Sequence, residues 1–464
     1  MIETKILPTA IVLAVAFSLP AASWAALDVR PPEIEVTRHE LSNGLEVLMH
    51  RDTSVPVVNV QVWYHVGSKD EREGRTGFAH LFEHIMFKGS DNVPDEAYGP
   101  FIQDIGGRYN ATTDFDRTLY FQTVPSNYLE RILWMEADRM RSLRVVEASF
   151  HSERDVVKEE RRVRYENAPY GLLFETIFDA IFTTHPYRHT PIGSMGDLNA
   201  ATIDDVKEFH TTYYVPRNAT LVISGDFDPK TALGWVKTYF GEIPAGDPIP
   251  RDLPTEPPQT EERRVVRYDA NAPLPAVVFA YRAPEAGHED SYALQVAGNI
   301  LSIGQSSRLY KKLVYDQQIA VQASGQVLPL EDAGVFFFFA ILNQGQEPDA
   351  GETSLLEEVE RLKNEPVSAE ELEKAKNQFI SQQVQSRQTV QAKGSAIGYA
   401  AVILDDLDAV NEQVARFQAV SAEDIQRVAS KYFRDTNRTT LLMLPETLRP
   451  ADESNTETET AEGR

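Results

Sequence analysis

Apolar positions alternate over two early stretches and then recur at helical spacing. Leu41 to Met49 and Val57 to Val66 are β-rich runs, the first containing an Asn43-Gly44 turn. Helical patterns follow at Gly77–Phe87, Ser126–Arg141 and Ser149–Glu166. The second half repeats the order, with Ala276–Tyr281 as a strand, Ser291–Leu301 as a helix and Val335–Leu342 as a strand. The apolar run Ala333–Leu342, which includes Phe336 to Phe339, has ten residues and suits a buried strand rather than a membrane span. Thr202–Val222 also matches Ser421–Leu441 at a constant offset of 219 (421 − 202), pairing Asp205 with Asp424, Tyr213 with Tyr432 and Asn218 with Asn437. Each copy predicts a Thr or Ser N-cap, an acid three residues on, a helix, an aromatic pair and a strand, Ala219–Ile223 in one and Thr439–Met443 in the other. One offset near half the chain length points to duplication.

Six prolines between Pro244 and Glu262 mark a linker. The expected organisation is α+β: an N-terminal domain over 26–243, a linker over 244–262, a homologous C-terminal domain over 263–449 and a disordered acidic tail over 450–464. Residues 1–25 read as an export signal, with Lys5, an apolar core from Ile6 to Ala22 and a small-x-small site at Ser23-Trp24-Ala25. Cleavage near Ala25 gives an exported protein without stable membrane insertion, periplasmic if the source is Gram-negative; retention of the segment as an anchor is the competing reading.

Composition narrows the chemistry. Seventy acids against 45 Lys and Arg give a net charge of −25, which argues against a nucleic-acid partner. With 42% hydrophobic residues the chain can bury substantial cores, and with no cysteine it has no disulfide, thiolate metal site or cysteine nucleophile. Any metal must be held by His, Asp or Glu.

Gly77–Phe87 contains His80, Glu83 and His84. Residues four apart share a helical face, so His80 and His84 can converge on one ion while Glu83 lies near enough to polarise a bound water. The order H-x-x-E-H is a zinc-peptidase motif. A catalytic zinc takes a third protein ligand, and the 151–166 helix offers Glu153, Glu159, Glu160 and Glu166. Glu153, Val156, Val157 and Glu160 form an i, i+3, i+4, i+7 stripe whose two valines mark it as inward, with Glu159 off it. This selects Glu160 as ligand and Glu153 as a neighbour that holds a ligand's second nitrogen or helps position water. His39, His50, His65, His151, His185, His189, His210 and His288 show no such spacing and are read as structural or surface residues.

The stretches GRTGFAHLFEHIMFKGS, GGRYNATTDFDRTLYF and ERDVVKEE, with HPYRHTPIG at His185–Gly193 and YYVPRNATLVISGDF at Tyr213–Phe227, resemble the M16 zinc metallopeptidases, the family of pitrilysin, insulin-degrading enzyme and mitochondrial processing peptidase. The resemblance implies paired α+β domains forming half of a clam-shaped chamber, one Zn2+ per chain, the third ligand on Glu160 and the first glutamate of that motif on Glu153. It also places Asn110 and Ala111, after Gly106-Gly107, on an edge strand that pairs with the substrate backbone, which is β-augmentation.

The resulting expectation is an exported zinc endopeptidase acting on extended peptides, with zinc on His80, His84 and Glu160 and with Glu83 as general base. The alternatives are a binding or assembly subunit that keeps the fold without the chemistry, and a manganese or cobalt site. One departure from the family stands out. Its active members carry an Arg and a Tyr seven apart in the half lacking the zinc motif, and the corresponding positions here are Val314 and Val321. Arg308 and Tyr315 have the spacing but fall six residues early, so their match is read as coincidence. A homologous partner subunit bearing the pair is therefore expected, as a heterodimer, with a homodimer as the alternative.

Overall fold

The computed structural model of the protein describes residues 31–450, so the segment read as an export signal, within residues 1–30, and most of the expected acidic tail, residues 451–464, lie outside the described residues. Eleven strands form two sheets among those residues. The first sheet contains β1 (Thr37–Glu40), β2 (Glu46–Arg51), β3 (Val57–Tyr64), β4 (Arg108–Thr113), β5 (Thr118–Pro125) and β6 (Ala219–Gly225), in the order β1-β2-β6-β3-β5-β4. The second contains β7 (Arg263–Asp269), β8 (Ala276–Ala283), β9 (Ala320–Leu328), β10 (Gly334–Leu342) and β11 (Arg438–Pro445), in the order β7-β11-β8-β10-β9.

Removing β1 makes the two orders correspond strand for strand. The β2–β6 and β7–β11 pairs are parallel, and every other pair is antiparallel. The duplicated segments occupy equivalent places: Thr202 and Ser421 each close a capping box, with Asp205 and Asp424, at the start of a helix that leads into β6 or β11. Residues 244–262 carry no helix or strand and connect the two sheets.

The helices in the first half are α1 (Phe78–Ile85), α2 (Tyr98–Asp104), α3 (Leu129–Ser142), α4 (Glu147–Arg161), α5 (Leu173–Ile181), α6 (Met195–Ala200), α7 (Ile203–Tyr213) and α8 (Pro229–Phe240). Those in the second are α9 (Glu289–Ser302), α10 (Pro348–Asn364), α11 (Ala369–Gln385), α12 (Val390–Val402), α13 (Ala409–Ala419) and α14 (Ala422–Tyr432). Each sheet buries one face under helices of its own half: Phe82, Ile132 and Val236 pack on the first sheet, and Leu294, Leu355 and Val428 on the second. The other faces are covered reciprocally. Helix α12 of the second half lies on Leu48, Trp63 and Val222 of the first sheet, and α5 of the first half lies on Val278, Phe337 and Leu441 of the second. Gly398 permits the close approach of α12, because a Cβ there would fall 2.2 Å from Trp63.

Three sequence expectations need correction. The run Leu41–Met49 straddles a hairpin turn, and only its second part is strand; its partner β1 has the all-polar sequence TRHE, which carries no alternation to betray an edge strand. The helix expected through Glu166 is α-helical only to Arg161, and Arg162–Glu166 winds as a π-helical turn. On α4, Val157 is buried but Val156 is 46% exposed, so the inward stripe is Glu153, Val157 and Arg161 rather than one carrying both valines.

Candidate active site

Helix α1 begins at Gly77, whose φ of 89° suits glycine and turns the chain into the helix. The Glu71 carboxylate accepts the N–H groups of Gly77 at 2.9 Å and Ala79 at 2.8 Å, satisfying two of the helix's free donors. Phe78, Ala79, Leu81, Phe82 and Ile85 are buried, which fixes the roll of the helix and leaves His80, Glu83 and His84 half-buried on its other side. Helix α4 packs against α1 with Phe150, Glu153, Val157 and Arg161 buried. Arg161 is held by Glu175 at 2.8 Å and by the Gly193 carbonyl, which sets the last turn where Glu160 projects.

The two helices bring His80, His84 and Glu160 into one cluster, with one donor atom from each lying within 4.8 Å of the others. Glu160 Oε2 is 3.7 Å from His80 Nε2 and 3.6 Å from His84 Nε2. These separations are too long for good hydrogen bonds, and they approach the edge of about 3.4 Å expected between ligands of a tetrahedral zinc with bonds of about 2.0–2.1 Å. The donor set of two imidazoles and one carboxylate fits a catalytic zinc. Glu159, the rejected neighbour, is exposed and pairs with Arg162.

Glu153 sits one layer deeper. Its Oε2 lies 3.3 Å from His84 Nδ1 and its Oε1 accepts from Lys88 at 2.9 Å, so it fixes the imidazole through the nitrogen that faces away from the cluster. Burial raises the Glu153 carboxyl, but its bonds to His84 and Lys88 outweigh that and leave it below the ordinary glutamate range. Glu83 moves the other way: burial pushes it up, against the lowering pull of a Thr113 hydroxyl bond and of His84. The Thr113 hydroxyl donates to Glu83 Oε2 at 2.6 Å. Sequence reasoning missed Thr113, although it shares a strand face with Ala111.

Asn110 and Ala111 lie on β4, the edge strand beside α1; Asn110 is exposed and Ala111 buried. Asp114 N–H donates to the Arg117 carbonyl at 3.0 Å, which makes 114 and 117 the bonded pair closing the β4–β5 hairpin. Antiparallel alternation then turns the main-chain groups of Arg108, Asn110 and Thr112 towards β5 and leaves those of Tyr109, Ala111 and Thr113 on the open edge. Ala111, not Asn110, presents its backbone to an added strand.

In the second half, Val314 is partly buried against the core and Val321 lies exposed on β9, the edge strand equivalent to β4. Arg308 is buried and forks onto Glu371 at 2.8 and 2.9 Å, while Tyr315 is exposed.

Comparisons with known proteins identify the family of the chain. The model for insulinase-type members of peptidase family M16 matches residues 46–193, and that for the M16 inactive domain matches residues 200–379. The chain is 33% identical to the zinc protease PqqE of Helicobacter pylori over 91% of this chain and 95% of that one. A crystal structure of a protease from Helicobacter pylori superposes with a TM-score of 0.85 at 32% identity, covering 89% of this chain and all (100%) of the other. The periplasmic protease PqqL of Escherichia coli shares the fold at a TM-score of 0.74 and 18% identity, with 94% of this chain matching 51% of that longer one.

Proposed function

The chain belongs to peptidase family M16, and on that premise we propose that it is an exported zinc endopeptidase that cleaves extended peptides. The carrying observation is the convergence of His80, His84 and Glu160 from two helices, with the buried Glu83 carboxyl beside them. His80, His84 and Glu160 would hold the ion. When bound there, zinc supplies Lewis acidity that acidifies a water and polarises the scissile carbonyl.

Glu83 takes the proton from the attacking water as the new C–O bond forms, then delivers it to the departing amine as the C–N bond breaks. Its elevated proton affinity suits a group that must first accept and then return a proton, and Thr113 fixes which carboxylate oxygen is free to do so. Glu153 is a positioning residue that orients His84. The open edge at Tyr109, Ala111 and Thr113 holds the substrate backbone by β-augmentation, which tolerates many sequences.

Oxyanion donors are the missing part. Val314 and Val321 cannot supply side-chain hydrogen bonds, and Arg308 is committed to Glu371. This supports a homologous partner subunit carrying an Arg/Tyr pair, with each chain forming half of a chamber. Export rests on residues 1–25 of the sequence, and no helix among the described residues is long and apolar enough to cross a membrane.

The test is protein purified without chelator, assayed for zinc and for hydrolysis of unstructured peptides, alone and mixed with a co-exported M16 chain that bears the Arg/Tyr pair. One zinc per chain is expected, with turnover rising on mixing, and Glu83→Gln keeps the zinc while turnover falls by orders of magnitude. Near-normal hydrolysis by Glu83→Gln overturns the mechanism. Full activity of the isolated chain, undiminished by dilution, overturns the partner.

A further inference from the structure

The face of the first sheet turned away from α1 carries an open cavity of about 750 Å³ where it meets the second half. Its floor is Trp63, Leu119 and Phe121 of β3 and β5, and its opposite wall is Tyr292, Phe379 and Phe417 from α9, α11 and α13. Thr112 of β4 lines the same cavity, so it begins at the open edge strand and runs inward beneath α12.

The floor is fixed in place. Trp63 Nε1 donates to Gln61 Oε1 at 2.9 Å, Gln61 in turn donates to Ser395 Oγ at 3.1 Å, and Arg117 lies over the indole at 5.4 Å. In a chain of net charge −25, no Asp or Glu lines this cavity among the described residues. Its one charged lining group, Arg117, is already paired with Asp114 at 3.0 Å and bonded to the Thr112 carbonyl at 2.9 Å. An unpaired charge entering such a site loses its hydration without compensation, whereas an aromatic ring gains an apolar floor and aromatic walls.

The edge alternation says what reaches it. A strand added to β4 has side chains that match the faces of the β4 residues they oppose. Residues opposite Ala111 and Thr113 point towards α1 and the His80–His84–Glu160 cluster; the residue opposite Thr112 points to the cavity face. We infer that this cavity is a specificity pocket for a large uncharged side chain, aromatic above all, on the substrate residue paired opposite Thr112. The inference rests on the peptidase reading and deepens it.

The test uses peptides of Ala and Ser in which one Phe is moved stepwise through the positions spanning the cleaved bond. They are assayed on the wild-type chain and on Gln383→Trp and Gln413→Trp, whose indoles enter the cavity from α11 and α13, each mixed with the co-exported M16 chain that bears the Arg/Tyr pair. In the wild type, Phe raises kcat/KM about tenfold or more at the position on the cavity side, the scale of burying one aromatic side chain. In both variants the Phe-to-Ala ratio at that position falls below twofold and the ratios at the flanking positions stay, and because each ratio is taken within one protein a general loss of activity cancels. A ratio unchanged in both variants at every position overturns the pocket. Binding separates this from failure of the peptidase reading: if no peptide is cleaved, the Glu83→Gln chain should still bind the matching Phe peptide about tenfold more tightly than its Ala counterpart, by fluorescence anisotropy. Equal Kd values, or a preference that persists in Glu83→Gln/Gln383→Trp, refute it.

Discussion

Replacing Lys69 with Met should destabilise the protein more than any surface change, and in a pH-dependent way. The Lys69 side chain is 2% exposed, and its ammonium lies 3.0 Å from Asp116, 2.7 Å from Glu331 and 2.9 Å from Asp332. Lys69 and Asp116 belong to the first half, Glu331 and Asp332 to the β9–β10 turn of the second, so one buried cation joins the two. His65 touches Glu331 at 2.7 Å, His185 lies 3.5 Å from Asp332, and the Tyr187 hydroxyl donates to Asp116. Removing the cation leaves the buried Asp116 carboxylate with neutral donors, the Tyr187 hydroxyl and the Glu331 N–H, and takes a charge partner from Glu331 and Asp332, for an expected loss of about 3–5 kcal/mol at pH 8.

The pH course follows from Asp116. Burial pushes its carboxyl up from 3.8 to about 6 even with Lys69 pulling it down. A folded value above the unfolded one means the folded chain takes up the proton first as pH falls, so a cost of about 3 kcal/mol for keeping Asp116 charged is felt above pH 6 and relieved between about pH 6 and 4. Without Lys69 that uptake moves to higher pH. Glu331 and Asp332 lose a lowering partner in the same way, since burial raises both and their contacts with Lys69 and the histidines bring them down. Urea unfolding of the wild type and Lys69→Met at pH 8 and pH 5 should therefore show a destabilisation that shrinks at the lower pH. A loss under about 1 kcal/mol at pH 8, or one that grows towards pH 5, refutes the reasoning.

Two further outcomes are expected. Zinc content should collapse in His80→Ala, His84→Ala and Glu160→Gln, stay at one equivalent in Glu159→Gln, and bind about 10–100-fold more weakly in Glu153→Gln, where the ligands are intact but His84 loses its anchor; zinc retained in Glu160→Gln with loss in Glu159→Gln reverses the assignment. Gly398→Ala, whose Cβ meets Trp63 at 2.2 Å, should cost about 1–3 kcal/mol in urea unfolding, and Trp63→Phe in the same chain should recover part of it; purely additive losses show that α12 does not press on that ring.

The readable parts of the molecule were those written at short range. A His pair four residues apart on an apolar helix needs only helical geometry, and the duplicated capping boxes at Thr202 and Ser421 announce two equivalent helix-to-strand passages. That Glu160 rather than Glu159 lies beside the two histidines was legible because Val157 marks the buried side of α4, although Val156, the other valine of the expected stripe, faces outward. What periodicity hides is contact between distant segments. Lys69 sits in an unremarkable Gly-Ser-Lys-Asp turn, and its partners Glu331 and Asp332 lie more than 260 positions on; nothing local distinguishes it from a solvated lysine. Thr113 was invisible for the same reason: its value comes from a strand edge that packs beside α1.

That exchange of helices bears on how the site is completed. Helix α12 of the second half is built into the first sheet, α5 of the first half is built into the second, and Lys69 pins the turn between them. Opening these halves exposes Trp63, Leu48 and Val222 on one side and Val278, Phe337 and Leu441 on the other, a loss of buried apolar area that motion within a folded chain does not supply. Val314, in the turn of helix before β9, and Val321, on β9, belong to the second half and are held with it, which argues against their swinging across to His80 and His84. On the proposed reading, the group that stabilises the oxyanion comes on a separate body, and peptide reaches the open edge of β4 and its adjoining cavity from the side that body faces. The proposed partner and the proposed pocket thus share one structural premise, that two halves packed on each other's helices move as one body.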